Sequence, residues 1–311
     1  MNLQQLRFVF EVTKHDFNLT DAAHTVHFSQ PGVSKAIIEL EDELGIEIFV
    51  RHGKRLRRLT EPGKEVLRCV EIIQREVANL KRIGGDYSQQ DAGVLHIAAT
   101  HTQARYFLPA AVAEFRKRFP KVVVKLQQAH PEEIGRLVGN EQADVGVATE
   151  ALANFDNLLA LPCYSWQHVA VFPNNHPLAS LNASAIGLEE LAKYPLVTYQ
   201  TEFAGRKRID QAFAIKRIVP NVVLEAIDSD VLKTYVEVGL GVGLLAEMAV
   251  SPQKDAFLNT VPLGHLFGMN TTRVAIKRGS YLRAYVYTFL ELLNEKITRK
   301  AVQEALATPK P

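Results

Sequence analysis

The 311 residues predict an N-terminal all-α helix-turn-helix unit joined by one long helix to an α/β domain of two lobes. Three observations carry this. Residues 18–44 hold two helix starts and a tight turn in a short stretch, and an apolar heptad repeat follows them with no breaker before Gly84-Gly85. Beyond Gly93, short apolar runs alternate with helical stretches, which is the pattern of a mostly parallel sheet.

Taken in order, Leu3, Leu6, Val9 and Phe10 mark an opening helix that packs under the motif. Asn18 or Thr20 caps a second helix with an apolar stripe of Ala22, Ala23 and Val26, and His27 and Phe28 carry the turn. Ser29 caps a third helix, with Pro31 in its first turn, where a missing N–H costs little. Val33, Ile37, Leu40 and Leu44 form its apolar face, which leaves Gln30, Ser34 and Lys35 on the surface near its start, placed to reach base edges. Gly45 stops the helix and Ile46 to Val50 has strand character.

Arg51, Lys54, Arg55, Arg57 and Arg58 then surround a glycine turn with no acid over eight positions. Most charge runs are solvated loops, but a loop has no reason to exclude acids so completely. The reading is a winged helix-turn-helix over residues 1–60, whose wing contacts the phosphates of double-stranded DNA. From Arg51 to Arg82 there are ten Lys/Arg against four Glu, a local surplus of six inside a chain of formal charge +2.

The run Ala22-Ala23, Ser29-Gln-Pro-Gly-Val-Ser-Lys35, Leu40 to Arg51 and Leu59-Thr-Glu-Pro-Gly63 resembles the DNA-binding domain of LysR-type transcriptional regulators. Val26 stands where that family usually has leucine, a conservative change.

After the wing, Thr60 and Pro62 start the long helix of residues 61–87. Val66, Val70, Ile73, Val77 and Leu80 are spaced four, three, four and three, which is a heptad seam. The seam fits either a homodimer or packing on the helix's own domain; the resemblance implies a dimer. Gly84-Gly85-Asp86 and the polar residues up to Gly93 read as a hinge.

Residues 88–311 read as the effector-binding domain. Strands are expected at Val94–Ala99, Val122–Leu126 and Val145–Ala148, with helices at Thr102–Phe119 and Pro131–Gln142. After Leu161 the strands are Val169–Phe172, Leu196–Tyr199, Val222–Ala226 and Val242–Leu245, separated by helices at Leu188–Lys193, Arg206–Ala214 and Asp230–Val238. A strand at Val274–Lys277 and one long helix from Tyr281 close the chain. Lobe I is residues 88–161 and 267–311 and lobe II residues 162–266, a periplasmic-binding-protein-like pair with a cleft between them.

Composition excludes several classes. Hydrophobic residues at 47% and charged residues at 23% are those of a globular chain. No signal peptide and no membrane span are evident, so a cytoplasmic location is expected. Cys69 and Cys163 lie far apart with no partner motif, and His24 and His27 lack a third ligand, so no metal is expected. Gly241, Gly243 and Ala246 match a dinucleotide pattern, but a helix precedes the glycines and the stretch itself reads as a strand, the reverse of what such a site needs. With no nucleophile elbow, phosphate loop or metalloprotease motif, the chain is not expected to be an enzyme.

The sharpest site signal is Thr100-His-Thr-Gln-Ala-Arg-Tyr106, where the first strand of the effector domain passes into a helix. If Thr100 caps that helix, free amides and the helix dipole favour a bound anion; capping alone is the plainer reading. This segment, with Thr149-Glu150, Leu161-Pro-Cys-Tyr164, Trp166, Tyr194 to Tyr199, Phe203-Ala-Gly-Arg206 and Asp228 to Gly243, resembles the branch of the LysR family that governs cysteine biosynthesis and sulfur assimilation. The resemblance implies that Thr100, Thr102, Gln103, Thr149, Glu150 and Trp166 line the effector cleft. Ala204 stands where the branch usually has threonine, which removes one hydroxyl contact to an anion. It further implies N-acetylserine or O-acetylserine as inducer, sulfate or thiosulfate as competing anions, no cofactor, a homotetramer, and RNA polymerase as a partner. A solute-binding protein of the periplasmic type and a LysR-type regulator of sulfonate use are the alternatives.

Overall fold

Side-chain caps start the first three helices. In the computed structural model, which describes residues 1–53, 55–88, 92–182, 185–203 and 205–308, Asn2 closes a capping box with Gln5 at the start of α1 (Leu3–Lys14). Asn18, rather than Thr20, caps α2 (Leu19–Val26), accepting from the amides of Thr20 and Asp21, and His27 ends it in the left-handed region at φ 59°. Ser29 caps α3 (Gln30–Leu44) by accepting from Gly32.

These helices bury Leu6, Phe8, Val9, Val12, Ala22, Ala23, Val26, Val33, Ile37 and Leu40 in one core. Two expected core positions fall outside it: Leu3 is 57% exposed and Leu44 38% exposed. The buried face of α1 is turned toward Phe8 and Val12. Ile46 is not in a strand, because its amide returns to the carbonyl of Glu41 while that of Gly45 bonds Asp42, a Schellman-type helix end. The wing is β1 (Phe49–His52) paired antiparallel with β2 (Arg55–Leu59).

Thr60 accepts from the amide of Gly63 and starts α4 (Glu61–Ser88). The helix runs straight through Gly84-Gly85, so the expected break at the glycine pair is absent; intrahelical hydrogen bonding tolerates glycine at about 1 kcal/mol per residue relative to alanine. Val70 is buried in the core of the first unit, with Val66 and Ile73 packed against it. Three of the five seam residues are therefore used within the chain's own domain.

Contacts divide the chain into two compact units, 1–88 and 89–311. The second unit is a single nine-stranded sheet with helices on its faces. In lobe I, β3 (Ala92–Ala99) lies between and parallel to β4 (Lys121–Gln128) and β5 (Val145–Ala148). Helices α5 (Leu108–Arg118) and α6 (Pro131–Gly139) cover it. In lobe II, β7 (Leu196–Tyr199) pairs parallel with β8 (Val222–Ala226) and β9 (Val242–Ala246), while α7 (Leu188–Leu191), α8 (Arg206–Ile215) and α9 (Ser229–Glu237) pack around them. Gly239 ends α9 at φ 80° and the suspected dinucleotide glycines lie in β9, as the strand reading requires.

The lobes are joined by two strands, not by loops. Strand β6 spans Leu158–Pro173, sixteen residues through the expected boundary at Leu161, and β11 (Met269–Lys277) pairs with its first part. Pro162 cannot donate to the ladder, and the register shifts there so that Cys163 is the extra residue of a bulge. Strand β10 (Leu258–Pro262), unread in the sequence, pairs with the far end of β6. The expected single C-terminal helix is two, α11 (Ala284–Leu293) and α12 (Arg299–Ala307). Asn294 is extended between them, its side chain donating to the Cys163 carbonyl and accepting from the Lys296 amide, and Thr298 caps α12. Among the described residues no helix is long and apolar enough to cross a membrane.

Candidate functional site

The first unit presents a polar face at the start of α3. Gln30 and Lys35 are exposed and Ser34 is half-buried. Lys35 lies 3.7 Å from Glu39 one turn on, both well exposed. On the wing Arg55, Arg57 and Arg58 point to solvent, whereas Leu56 between them is buried in the core. Lys54 falls outside the described residues. Arg51 departs from the expected set: its guanidinium is tied to Glu41, whose other carboxylate oxygen accepts from the amides of Ile48 and Phe49. Because that carboxylate is 8% exposed and needs its partner, Arg51, itself 29% exposed, ties the wing to α3.

In the second unit the chain leaves β3 at Thr100, whose amide bonds Val147 on the neighbouring strand. The helix that follows opens with a wide π-type turn at Gln103–Phe107. The expected Thr100 side-chain cap is absent: Thr100 acts through its carbonyl, which accepts from Ala104, and the turn has no side-chain cap at Thr102. Thr100, Thr102, Gln103 and Thr149 form one wall of a pocket, and Trp166, Tyr199, Phe203 and Ala246 form the other. Tyr164 donates to the Gln103 carboxamide at 2.6 Å, and the Trp166 indole donates to Thr272 at 3.1 Å. The Tyr199 hydroxyl meets Ser229 at 2.7 Å and accepts from the Ala246 amide at 3.1 Å; burial holds its pKa above the usual phenol value. Among the described residues no Lys or Arg lines this pocket, whose polar side chains are hydroxyls, a carboxamide and an indole. Its free volume is about 20 Å³, near the room one water needs.

Glu150 is not in that lining. One of its oxygens accepts from Arg208 at 3.0 Å and from the Thr271 amide at 2.8 Å. It bridges the lobes, because Glu150 follows β5 and Arg208 lies on α8. On the other side of the cleft Asp230 accepts from Arg105 at 3.0 Å and Tyr106 at 2.7 Å, and His101 lies 3.2 Å from Asp228. Ala204 falls outside the described residues. Tyr199 and Phe203 were missed as lining residues although they sit in segments already singled out; nothing local in sequence says which side of β7 faces the cleft.

Behind Trp166, His168 and Asn270 are fully buried. Asn270 meets His168 Nδ1 at 3.4 Å, and among the described residues His168 Nε2 has no partner. Burial, aided by Arg208, pushes the imidazole down to about 4, so it is neutral. Gly205, at φ 88°, lies over that ring, where an added Cβ would come within 2.5 Å of Nε2.

Comparison with known proteins agrees with this architecture. Residues 3–64 match the family described as bacterial regulatory helix-turn-helix protein, lysR family, and residues 88–298 match the LysR substrate binding domain. The chain is 57% identical over 306 residues to the HTH-type transcriptional regulator CysB of Burkholderia cenocepacia, covering 98% of this chain and 97% of that one. It is 46% identical over 310 residues to the HTH-type transcriptional regulator cbl of Escherichia coli, covering 98% of each. The crystal structure of the cofactor-binding domain of the Cbl transcriptional regulator superposes with a TM-score of 0.65 at 44% identity, over 70% of this chain and 95% of that one.

Proposed function

Because the chain belongs to the LysR family of helix-turn-helix transcriptional regulators, we propose that it controls genes of sulfur assimilation and cysteine biosynthesis in response to a small effector held in the Thr100 pocket. That the chain is a DNA-binding regulator and not an enzyme follows from the family; the helix-turn-helix unit also sets aside a periplasmic-type solute-binding role. In the proposed complex α3 enters the major groove with Gln30, Ser34 and Lys35 toward base edges, while Arg55, Arg57 and Arg58 lie on phosphates. Two chains associate through α4, and pairs of dimers form a tetramer through their effector domains that engages RNA polymerase.

The observation that carries the effector reading is the make-up of the pocket. Thr100, Thr102, Gln103 and Thr149 supply neutral hydrogen-bonding groups around a space without a cation, which suits a small oxyanion or a carboxylate held by directed hydrogen bonds. Trp166 and Phe203 supply an apolar wall for an acetyl group. N-acetylserine or O-acetylserine is the inducer in this reading, and sulfate or thiosulfate competes for the same groups.

Trp166 is the chain's one tryptophan, so its fluorescence reports this pocket directly. Titration of the full chain with each acetylserine, sulfate and thiosulfate should give saturable, mutually competitive signals. Thr100→Ala should weaken sulfate by about tenfold, the loss of a hydrogen bond to a charged group. A Thr100→Ala protein that binds all four as the parent does would place the effector elsewhere.

A further inference from the structure

Gln103 lines the Thr100 pocket and is 1% exposed, and its carboxamide has an oxygen end and a nitrogen end, so which end faces a ligand decides what the pocket accepts. The hydrogen bonds behind it fix the choice. Trp166 can only donate, and its indole nitrogen gives its hydrogen to Thr272 Oγ1 at 3.1 Å. Thr272 is fully buried on β11, directly across the ladder from Tyr164, and its hydroxyl meets the phenol. Among the described residues that hydroxyl hydrogen has no other acceptor. Were the phenol to donate to Thr272 instead, a buried hydrogen would be left unpaired, so Thr272 donates and the phenol accepts. The phenol's own hydrogen then goes to Gln103 Oε1, 2.6 Å away. With its oxygen engaged, Gln103 has its N–H groups left for the pocket.

We propose that Tyr164 and Thr272 are positioning residues that lock Gln103 as a hydrogen-bond donor, and that the pocket therefore selects oxyanions whose oxygens all accept over those that carry a hydroxyl. The hydroxyls of Thr100, Thr102 and Thr149 can turn to donate or to accept, whereas the locked carboxamide cannot. Tyr164 and Thr272 stand behind the lining and act through Gln103. Sulfate and hydrogen phosphate separate the two cases, because in mildly alkaline buffer both are dianions of nearly equal size and they differ by one hydroxyl hydrogen. Against the fixed N–H groups that hydrogen meets another hydrogen. The inference rests on the anion reading of this pocket and adds what the pocket discriminates.

Calorimetry on the full chain with sulfate and with hydrogen phosphate measures the preference, which in the parent should favour sulfate. Tyr164→Phe frees the carboxamide to turn, and the ratio of the two affinities should fall by about tenfold, the effect of one hydrogen bond to a charged group. Gln103→Met, which has no donor, should lower the ratio as much. Adding Tyr164→Phe to Gln103→Met should change it no further, because Tyr164 acts through Gln103. Equal binding of the two anions by the parent, a Tyr164→Phe protein that weakens both alike, or losses that add in the double variant would each overturn the proposal. Neutron diffraction from deuterated crystals of the full chain separates nitrogen from oxygen and places hydroxyl deuterium, so it reads the same order without a ligand. The Gln103 oxygen should face Tyr164, and nitrogen in that place would equally overturn the proposal. If the parent binds neither anion, the effector reading fails alone and the neutron map still decides the orientation of Gln103.

Discussion

Arg51 Nη2 lies 2.5 Å from the carboxylate of Glu41, ten residues earlier on α3, and the same carboxylate accepts from the backbone amides at the start of β1. One ion pair therefore fastens the wing to the recognition helix. Arg51→Ala should leave a mostly buried carboxylate short of its partner and destabilise the first unit by about 1–3 kcal/mol. If Glu41 occupies Arg51 in place of a phosphate, the slope of log affinity against log salt should stay near that of the parent. Arg57→Ala should do the reverse, leaving stability unchanged and flattening the slope by about 0.9. Thermal unfolding and DNA binding at several salt concentrations measure both; an Arg51→Ala slope as shallow as that of Arg57→Ala would return Arg51 to the phosphate contacts.

Gln30 stands exposed in the first turn of α3, where a recognition helix meets base edges. Gln30→Ala should cost about 1–3 kcal/mol on an operator and almost nothing on random DNA. Equal losses on both sequences would remove the base-reading role.

On α4, Ile73 packs against the core of its own unit, but Ile72 is 49% and Leu80 67% exposed. Ile73→Asp places a charge against that core and should lower the unfolding temperature. If α4 forms the proposed dimer, Leu80→Asp should shift sedimentation to the monomer with little change in the unfolding temperature. Dimers that survive both Leu80→Asp and Ile72→Asp would show that α4 is not the interface.

His168 gives the second unit a particular acid response. Its folded pKa is pushed down from 6.5 to about 4, first by burial and then by Arg208, so below pH 6.5 the unfolded chain takes up a proton that the folded chain refuses. The stability tied to its neutral form is thus complete above about pH 6.5 and is lost as the pH falls toward 4, by about 3 kcal/mol in all. His168→Phe should flatten the stability profile across that window, whatever it does to stability at neutral pH. Parallel profiles for variant and parent would show that His168 is not the titrating group.

The start of each helix in the first unit was legible because a cap is a local event: Asn18 and Ser29 bond amides two or three residues away, and no distant partner is needed. The parallel strands β3, β5, β7 and β9 were legible for a related reason, since a strand buried on both faces is a continuous apolar run. The exposed basic wing residues could also be read directly, because a solvated charge run does not depend on what lies across the fold. What the sequence could not reveal depends on partners far along the chain. Glu150 and Arg51 belong to charge-bearing motifs that predict ligand contacts, yet Arg208 claims the first across 58 residues and Glu41 the second across ten. Strand β6 passes through Pro162 because β11, more than a hundred residues later, pairs with it on both sides of a bulge. The tertiary structure alone decided that Tyr199 and Phe203, not Glu150, complete the pocket with Trp166, because the facing of a side chain is set by the sheet and helices packed around it and not by its neighbours in sequence.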